Sequence, residues 1–109
     1  MRTPFHPSED DMRLESLLFA LSDPTRLAIV AELDACYEKT CGALDLSVSK
    51  ATAAQHFRVL REAGIVRTRL QGKHRFLSLR QQEVDRRFPG LLRAVLNGRL
   101  ALGTGTPST

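Results

Sequence analysis

Basic side chains are concentrated in residues 50–80, and they are the groups whose chemistry the sequence displays most clearly. Eight lysines and arginines stand there against the single acid Glu62, a net charge of +7. Residues 1–49, with four basic and nine acidic residues, carry −5, so the +4 of the whole chain hides a basic patch. Clustered basic side chains attract phosphates and release their counterions. The patch indicates a nucleic-acid ligand, with a solvated basic surface as the alternative.

A helix is predicted inside this segment, at about residues 50–63. Ser49 has the side chain of an N-cap, and Gly64 is the typical residue just past a helix end. Apolar residues spaced by four and three positions would face the core. They are Ala53, Phe57 and Leu60.

A basic β-hairpin is predicted directly after this helix. Its strands lie at about residues 65–70 and 74–79, with the turn at residues 71–73. A helix that ends in a charged hairpin is typical of a winged helix-turn-helix. One element of that fold enters a major groove while the other contacts the flanking backbone.

Further helices are predicted on both sides of this unit. Three precede it, at about residues 9–21, 24–35 and 41–46. Their expected caps are Ser8, Asp23 and Thr40. A last helical region begins near Gln82 and is interrupted at residues 89–90 by proline and glycine. The predicted fold is therefore mostly α with a β-hairpin wing: a winged helix-turn-helix of four helices, two strands and a closing helix.

The length of 109 residues indicates one domain. We expect a flexible N-terminal arm over residues 1–8, a DNA-binding and dimerisation domain over 9–102, and a disordered tail over 103–109. No apolar run reaches the ~20 residues that span a bilayer, and the first residues lack the apolar stretch of a signal peptide. A cytoplasmic protein with no membrane partner and reduced cysteines is expected.

Two apolar helix faces predict a homodimer. One lies on the first helix, and the other is formed by Leu91, Leu92, Val95 and Leu96 on the last. A chain this short has difficulty burying both, so pairing of the first and last helices with a second copy is expected. The alternative is that the last face closes the core of its own monomer.

Two motifs resemble one family, the ArsR-type (arsenic-repressor-like) bacterial regulators. Residues 20–30 read Ala-Leu-Ser-Asp-Pro-Thr-Arg-Leu-Ala-Ile-Val and are similar to that family's junction between its first two helices. Residues 60–66, Leu-Arg-Glu-Ala-Gly-Ile-Val, resemble its junction between recognition helix and wing. The resemblance covers residues 14 to about 97. It implies a homodimeric transcriptional repressor that releases double-stranded operator DNA when a ligand or an oxidant arrives.

The recognition segment departs from the family's S-x-S-T-V-S-R-H-L pattern at some positions. The residues that agree are Ser49, Thr52 and His56. Ala51 and Ala54 stand where serine is usual, and Gln55 stands where arginine is frequent. Lost hydroxyls and a lost cation change the hydrogen bonds that are available to DNA. The operator sequence is therefore expected to differ, whereas the docking mode is not.

The predicted DNA contacts divide between helix and wing. Gln55 has the geometry to bond an adenine edge at two points, and Lys50 can reach guanine or phosphate. His56 has two interpretations, a phosphate contact or a hydrogen bond within the fold. The wing residues are expected to position the protein rather than to specify sequence. The predicted DNA-binding residues are Ser49, Lys50, Thr52, Gln55, His56, Arg58, Arg67, Arg69, Lys73 and Arg75.

The two cysteines, Cys36 and Cys41, are the candidate sensor. Family members that bind metal use a Cys-x-Cys pair or histidine and acidic ligands on the last helix; here a single cysteine and no histidine occupy those places. No metal site and no cofactor are predicted. A helix N-terminus at Cys41 would favour its thiolate. Three interpretations remain open: buried structural thiols, a switch driven by thiol oxidation or reactive sulfur, and binding of a thiophilic ion such as arsenite.

An enzyme is the second class of function, and the sequence does not favour it. Catalysis needs a nucleophile–base pair or paired acids, and the sequence shows no such grouping. A third class, a winged-helix module that binds protein or RNA without operator specificity, is compatible with the basic hairpin. Binding to random duplex DNA at low salt separates the third class from a DNA-binding regulator.

Overall fold

Five α-helices and a three-stranded antiparallel sheet make up the part of the chain that the computed structural model describes, residues 4–44 and 46–103. The helices are α1 (Leu14–Ala20), α2 (Pro24–Asp34), α3 (Lys50–Ala63), α4 (Gln81–Arg87) and α5 (Leu91–Gly103). The strands are β1 (Lys39–Thr40), β2 (Val66–Gln71) and β3 (His74–Leu79), and 3₁₀ turns lie at Glu9–Asp11 and Cys41–Ala43. The mostly α winged helix-turn-helix predicted from the sequence is confirmed.

Local signals place both ends of α3 where the sequence predicts them. The Ser49 hydroxyl accepts a hydrogen bond from the backbone N–H of Thr52 at 3.2 Å. At the other end Gly64 has φ 95°, in the left-handed region that glycine tolerates. A Cβ at this position would also lie 2.9 Å from Cγ of Met12. Glycine is therefore required at the end of α3 both for its backbone conformation and for packing.

The cap of α2 is confirmed in the same way. The carboxylate of Asp23 accepts hydrogen bonds from the backbone N–H groups of Thr25 at 2.8 Å and Arg26 at 3.1 Å. Pro24 occupies the first helical position, where its missing N–H costs no hydrogen bond. These contacts fix where α2 starts, immediately after the end of α1.

The helix predicted over residues 9–21 is wrong in its first part. Met12 and Arg13 have extended backbones that separate the 3₁₀ turn Glu9–Asp11 from α1. The hydroxyl of Ser8 donates to the carboxylate of Asp11 at 2.9 Å and makes no cap bond to the backbone. The buried Met12 side chain lies against Gly64, so packing overrides the local helical pattern here.

The helix predicted over residues 41–46 is also wrong, because the structure has only the 3₁₀ turn Cys41–Ala43. Thr40 makes no side-chain cap bond. Instead β1 pairs with β3, with Lys39 opposite Leu77 and Thr40 opposite Phe76. This pairing with a distant strand holds the chain extended up to the turn, where local pattern alone suggested a helix.

The sheet has the strand order β1-β3-β2, with β2 and β3 forming the wing. Their register runs from Val66 opposite Leu79 to Gln71 opposite His74, and Gly72 in the two-residue turn has φ 60°. Residues along the first part of β2 alternate between buried and exposed. The wing therefore turns one side to the core and its arginines to solvent.

The core lies between the sheet and the helices. Its fully buried side chains include Leu17, Ile29, Leu33, Leu60 and Leu77. The apolar face of α5 is divided, since Leu92 and Leu96 are buried whereas Leu91 and Val95 are half-buried. The monomer's own core therefore takes up part of the face that was predicted to pair with a second copy.

The segment over residues 4–8, predicted as part of a flexible arm, lies against the domain. The imidazole Nε2 of His6 accepts from the backbone N–H of Thr68 at 2.9 Å. Arg61 donates to the Phe5 carbonyl at 3.0 Å, and Arg80 donates to the Pro7 carbonyl at 2.7 Å. Of the predicted tail over 103–109, Gly103 is the last residue of α5, and residues 104–109 lie outside the described part of the chain.

Within residues 4–44 and 46–103, no helix has the length and apolar character needed to cross a membrane.

We predict that His6 makes stability depend on pH. Burial, and next the charge of Arg80, hold the pKa of His6 below its ordinary 6.5. The unfolded chain therefore takes up a proton first as pH falls below 6.5, and stability is lost towards the folded pKa. Measured by urea denaturation between pH 7.5 and 5, wild type should lose more unfolding free energy than His6→Gln. The glutamine carbonyl can still accept from Thr68 but cannot titrate. His56 and His74 are present in both proteins, so equal pH dependence would contradict the assignment.

Candidate nucleic-acid interface

The solvent face of α3 carries the predicted recognition residues. Lys50, Thr52, Gln55 and Arg58 are exposed, whereas Leu60 on the opposite side is fully buried. The Ser49 hydroxyl is occupied by its cap bond and also donates to the Thr52 hydroxyl at 3.0 Å. Ser49 thus begins the helix and positions Thr52.

His56 differs from these residues because the fold encloses it. Its side chain is only 12% exposed, and its Nδ1 lies 3.2 Å from a guanidinium nitrogen of Arg26. Arginine can only donate, so Nδ1 is the acceptor and the other ring nitrogen faces Asp23, 3.9 Å away. Of the two interpretations of His56, this geometry favours the hydrogen bond within the fold.

Arg26 was not among the residues predicted for the site, yet it holds this arrangement together. Its side chain is buried, and it donates to the backbone carbonyls of Ala20 at 2.7 Å and Phe19 at 3.1 Å. The guanidinium also lies over the Phe19 ring, 5.1 Å from its centre. The only sign of this role in the sequence is the position of Arg26 in the motif over residues 20–30. Through His56 it joins the end of α1 to the middle of α3.

Three of the predicted DNA-binding arginines already have acidic partners. Arg69 makes two hydrogen bonds to the carboxylate of Glu38, at 3.0 and 2.9 Å. Arg67 donates to Glu83 at 2.7 Å, and Arg58 donates to Glu62 at 3.2 Å. Such pairs reduce the charge that these arginines present to a phosphate. Sequence reasoning missed Glu38 and Glu83, because the pairing with Arg69 and Arg67 depends on how the chain folds back.

The Arg69–Glu38 pair is supported by further contacts on the wing. The guanidinium of Arg69 stacks on the Phe76 ring of β3, 4.4 Å from its centre, and also donates to Gln71. The hydrogen bond from Arg69 lowers the pKa of Glu38, so this carboxylate stays ionised. The two hydrogen bonds to one carboxylate and the contact with the ring fix the arginine side chain on the wing surface. Arg69 is therefore held by the protein itself.

The other basic candidates have a different environment. Lys50 at the start of α3, Lys73 in the hairpin turn and Arg75 on β3 are all exposed. None of them makes a side-chain hydrogen bond or an ion pair with the residues that the structure describes. Lys50 and Arg75 also line the same groove between α3 and the wing. Helix and wing therefore present cationic side chains at one place on the surface.

The two cysteines line different grooves. Cys41 lines the groove that contains Thr68 and Leu77, whereas Cys36 lines a second groove containing Arg67 and Ser78. Both are partly buried against the core. Both thiols are free, and the Cys36 thiol donates to the backbone carbonyl of Glu32 at 3.5 Å. The two thiols therefore have different surroundings.

Burial raises the pKa of the Cys41 thiol, which opposes the thiolate expected there. A three-residue 3₁₀ turn stands where the helix was predicted, so the favourable field of a helix N-terminus is small. Among the described residues, no cluster of three or more histidine, cysteine or acidic side chains has the arrangement to hold a metal ion.

Known proteins resemble this chain across most of the domain. A family described as a helix-turn-helix domain matches residues 21–69. The uncharacterized HTH-type transcriptional regulator YceK of Bacillus subtilis (strain 168) is 38% identical over 88 residues, which span 78% of this chain and 87% of YceK. The protein belongs to the ArsR-type family of winged helix-turn-helix transcriptional regulators. Membership of this family means that the regulator is not an enzyme and that DNA is its partner class.

Two crystal structures show the same fold in this family. The transcriptional repressor BigR from Xylella fastidiosa has a TM-score of 0.63 and 29% identity, over 82% of this chain and 85% of BigR. A second ArsR-family transcriptional regulator has a TM-score of 0.62 and 24% identity, over 84% of this chain and 96% of its own. The second likeness concerns the fold alone. The resemblance inferred from the two sequence motifs is thus confirmed.

Proposed function

We propose that this ArsR-type regulator is a homodimeric repressor. Helix α3 enters the major groove of operator DNA, and the wing contacts the flanking backbone until a signal releases the protein. One observation carries the proposal: Lys50 of α3 and Arg75 of the wing line one groove, so helix and wing can engage the same duplex. The similarity to BigR, which is a transcriptional repressor, supports the repressor mode.

Base recognition is assigned to the exposed face of α3. Gln55 can accept from and donate to an adenine edge, and Lys50 reaches guanine or phosphate. Thr52 adds a hydroxyl that Ser49 positions. The assignment leaves His56 a supporting role, because its ring is engaged by Arg26.

Phosphate contacts are assigned first to Lys73 and Arg75. Both are exposed and make no ion pair with described residues. Arg58, Arg67 and Arg69 contribute less, because each must first be separated from its carboxylate. The order of importance within the basic patch is thus set by the acids around it rather than by the count of arginines.

A two-fold axis through α1 and α5 would complete the molecule. Helix α1 exposes three large apolar side chains, Leu14 at 44%, Leu18 at 48% and Phe19 at 62%. Leu91 and Val95 of α5 are only half-buried by their own monomer. Covering these surfaces with a second copy removes apolar area from water, and two recognition helices can then reach half-sites about 10–10.5 base pairs apart.

The proposal is tested by operator selection followed by substitution on the selected site. Gln55→Ala should cost about 1–3 kcal/mol on that site and relax preference at one base pair. Lys73→Ala should weaken binding to every sequence alike and lower the salt slope by about one. Binding isotherms at several salt concentrations measure both. Absence of binding to any duplex at low salt would favour the alternative, a winged-helix module for protein or RNA.

The Arg69–Glu38 pair gives a prediction of opposite sign. Glu38→Gln frees the Arg69 guanidinium, so DNA affinity should rise for all sequences and the salt slope should increase by up to one. Asp34→Asn is the control, since it makes the same change of net charge at a carboxylate that pairs with Arg93 of α5 and not with a predicted DNA-binding arginine. An equal gain in DNA affinity from both substitutions would show that the affinity depends on net charge alone and not on the Arg69–Glu38 pair.

The dimer is tested by placing a charge on α1. Leu18→Glu buries a carboxylate in the proposed interface, so the protein should sediment as a monomer at micromolar concentration and bind its operator more weakly. Tyr37→Glu is the control, because this side chain is 91% exposed and lies outside α1 and α5. A wild-type protein that is itself monomeric while bound to its operator would refute the arrangement.

A further inference from the structure

An open groove lies between the first half of α3 and the wing. Its volume is about 410 Å³. Sites for small ligands typically have volumes of ~300–1,000 Å³ and largely apolar walls. Its apolar lining residues include Ala53, Ala54, Phe57 and Leu77. A concave apolar surface of this size is more than the contact with a phosphate backbone requires.

The groove lies where α3 has small residues near its start. The half-buried Ala53 and the exposed Ala54 line it, whereas Leu60, further along, is fully buried. Phe57 remains half-buried at the edge of the space. Close packing therefore holds the second half of the helix against the core, and the first half covers an opening.

Positive charge surrounds this opening. Lys50 and Arg75 line it and are exposed, and Arg61 lines it beside them. No carboxylate side chain is among the described residues that line the groove. An apolar floor with cations at its edge suits a ligand with an apolar body and one negative group. We propose that the groove binds a small organic anion, an aromatic or aliphatic carboxylate.

Such a ligand would act as the signal, and this step rests on the function proposed above. Lys50 and Arg75 are also assigned to DNA, and neither side chain can pair at full strength with a ligand carboxylate and a DNA phosphate at the same time. Ligand and operator therefore oppose each other's binding by the same factor. The proposed signal then requires neither cysteine.

The test uses the full chain, without DNA, and 2-naphthoate as the probe. Titration calorimetry should show binding, and the uncharged isostere 2-naphthamide should bind at least tenfold more weakly because it lacks the charge-assisted bonds. Ala54→Leu fills the groove and should abolish binding. Ala51→Leu, the same substitution at an exposed position of α3 that does not line the groove, should leave binding unchanged.

Two results with the wild-type protein would overturn the proposal. One is the absence of 2-naphthoate binding at millimolar concentration, and the other is equal affinity for 2-naphthoate and 2-naphthamide. Retained binding of 2-naphthoate in a folded Ala54→Leu protein also overturns it. If Ala54→Leu does not fold, Arg75→Gln replaces it as the test, and it should weaken the binding of 2-naphthoate but not that of 2-naphthamide. With DNA present, 2-naphthoate should reduce operator affinity of wild type and not of Ala54→Leu. A protein that binds the probe but no DNA would refute the repressor and leave the groove assignment standing.

Discussion

The buried guanidinium of Arg26 is the interaction on which the placement of the recognition helix depends. A buried charge is costly unless its hydrogen bonds are satisfied, and here they are made by the end of α1 and by His56 of α3. Asp23, which caps α2, lies on the other side of the same imidazole. One side chain thus fixes the relation of three helices, and it does so from the side of α3 that DNA would not contact.

Electrostatics divides the basic patch into two kinds of cation. Arg58, Arg67 and Arg69 are matched by carboxylates, and the Arg69–Glu38 pair joins the wing to the loop before β1. Lys50 and Arg75 face the groove between helix and wing. Paired arginines hold the wing in shape and keep like charges from repelling one another, whereas the remaining cations are available to a ligand. A formal charge of +7 over one segment therefore overstates what the surface offers to phosphate.

Sequence reasoning succeeded where the determining contacts are local. Helix α3 was predicted to the residue because Ser49, the apolar stripe and Gly64 all act within the helix itself. The helix over residues 41–46 failed because pairing of Lys39 and Thr40 with β3 decides the conformation there. The contacts of His6, Glu38 and Arg26 could not be predicted from local sequence either, because each joins residues that are distant in the chain.

The alanines of α3 connect recognition with the groove. At residues 51 and 54 the chain lacks the serines of the family pattern, so hydroxyls that could bond DNA are missing from the start of the helix. The small volume of Ala54, together with Ala53, also leaves the space that a ligand would fill. A bulkier residue at 54 would narrow that space. Residue 54 therefore bears both on the DNA contacts of α3 and on the capacity to bind a small anion, whereas residue 51 bears on DNA alone.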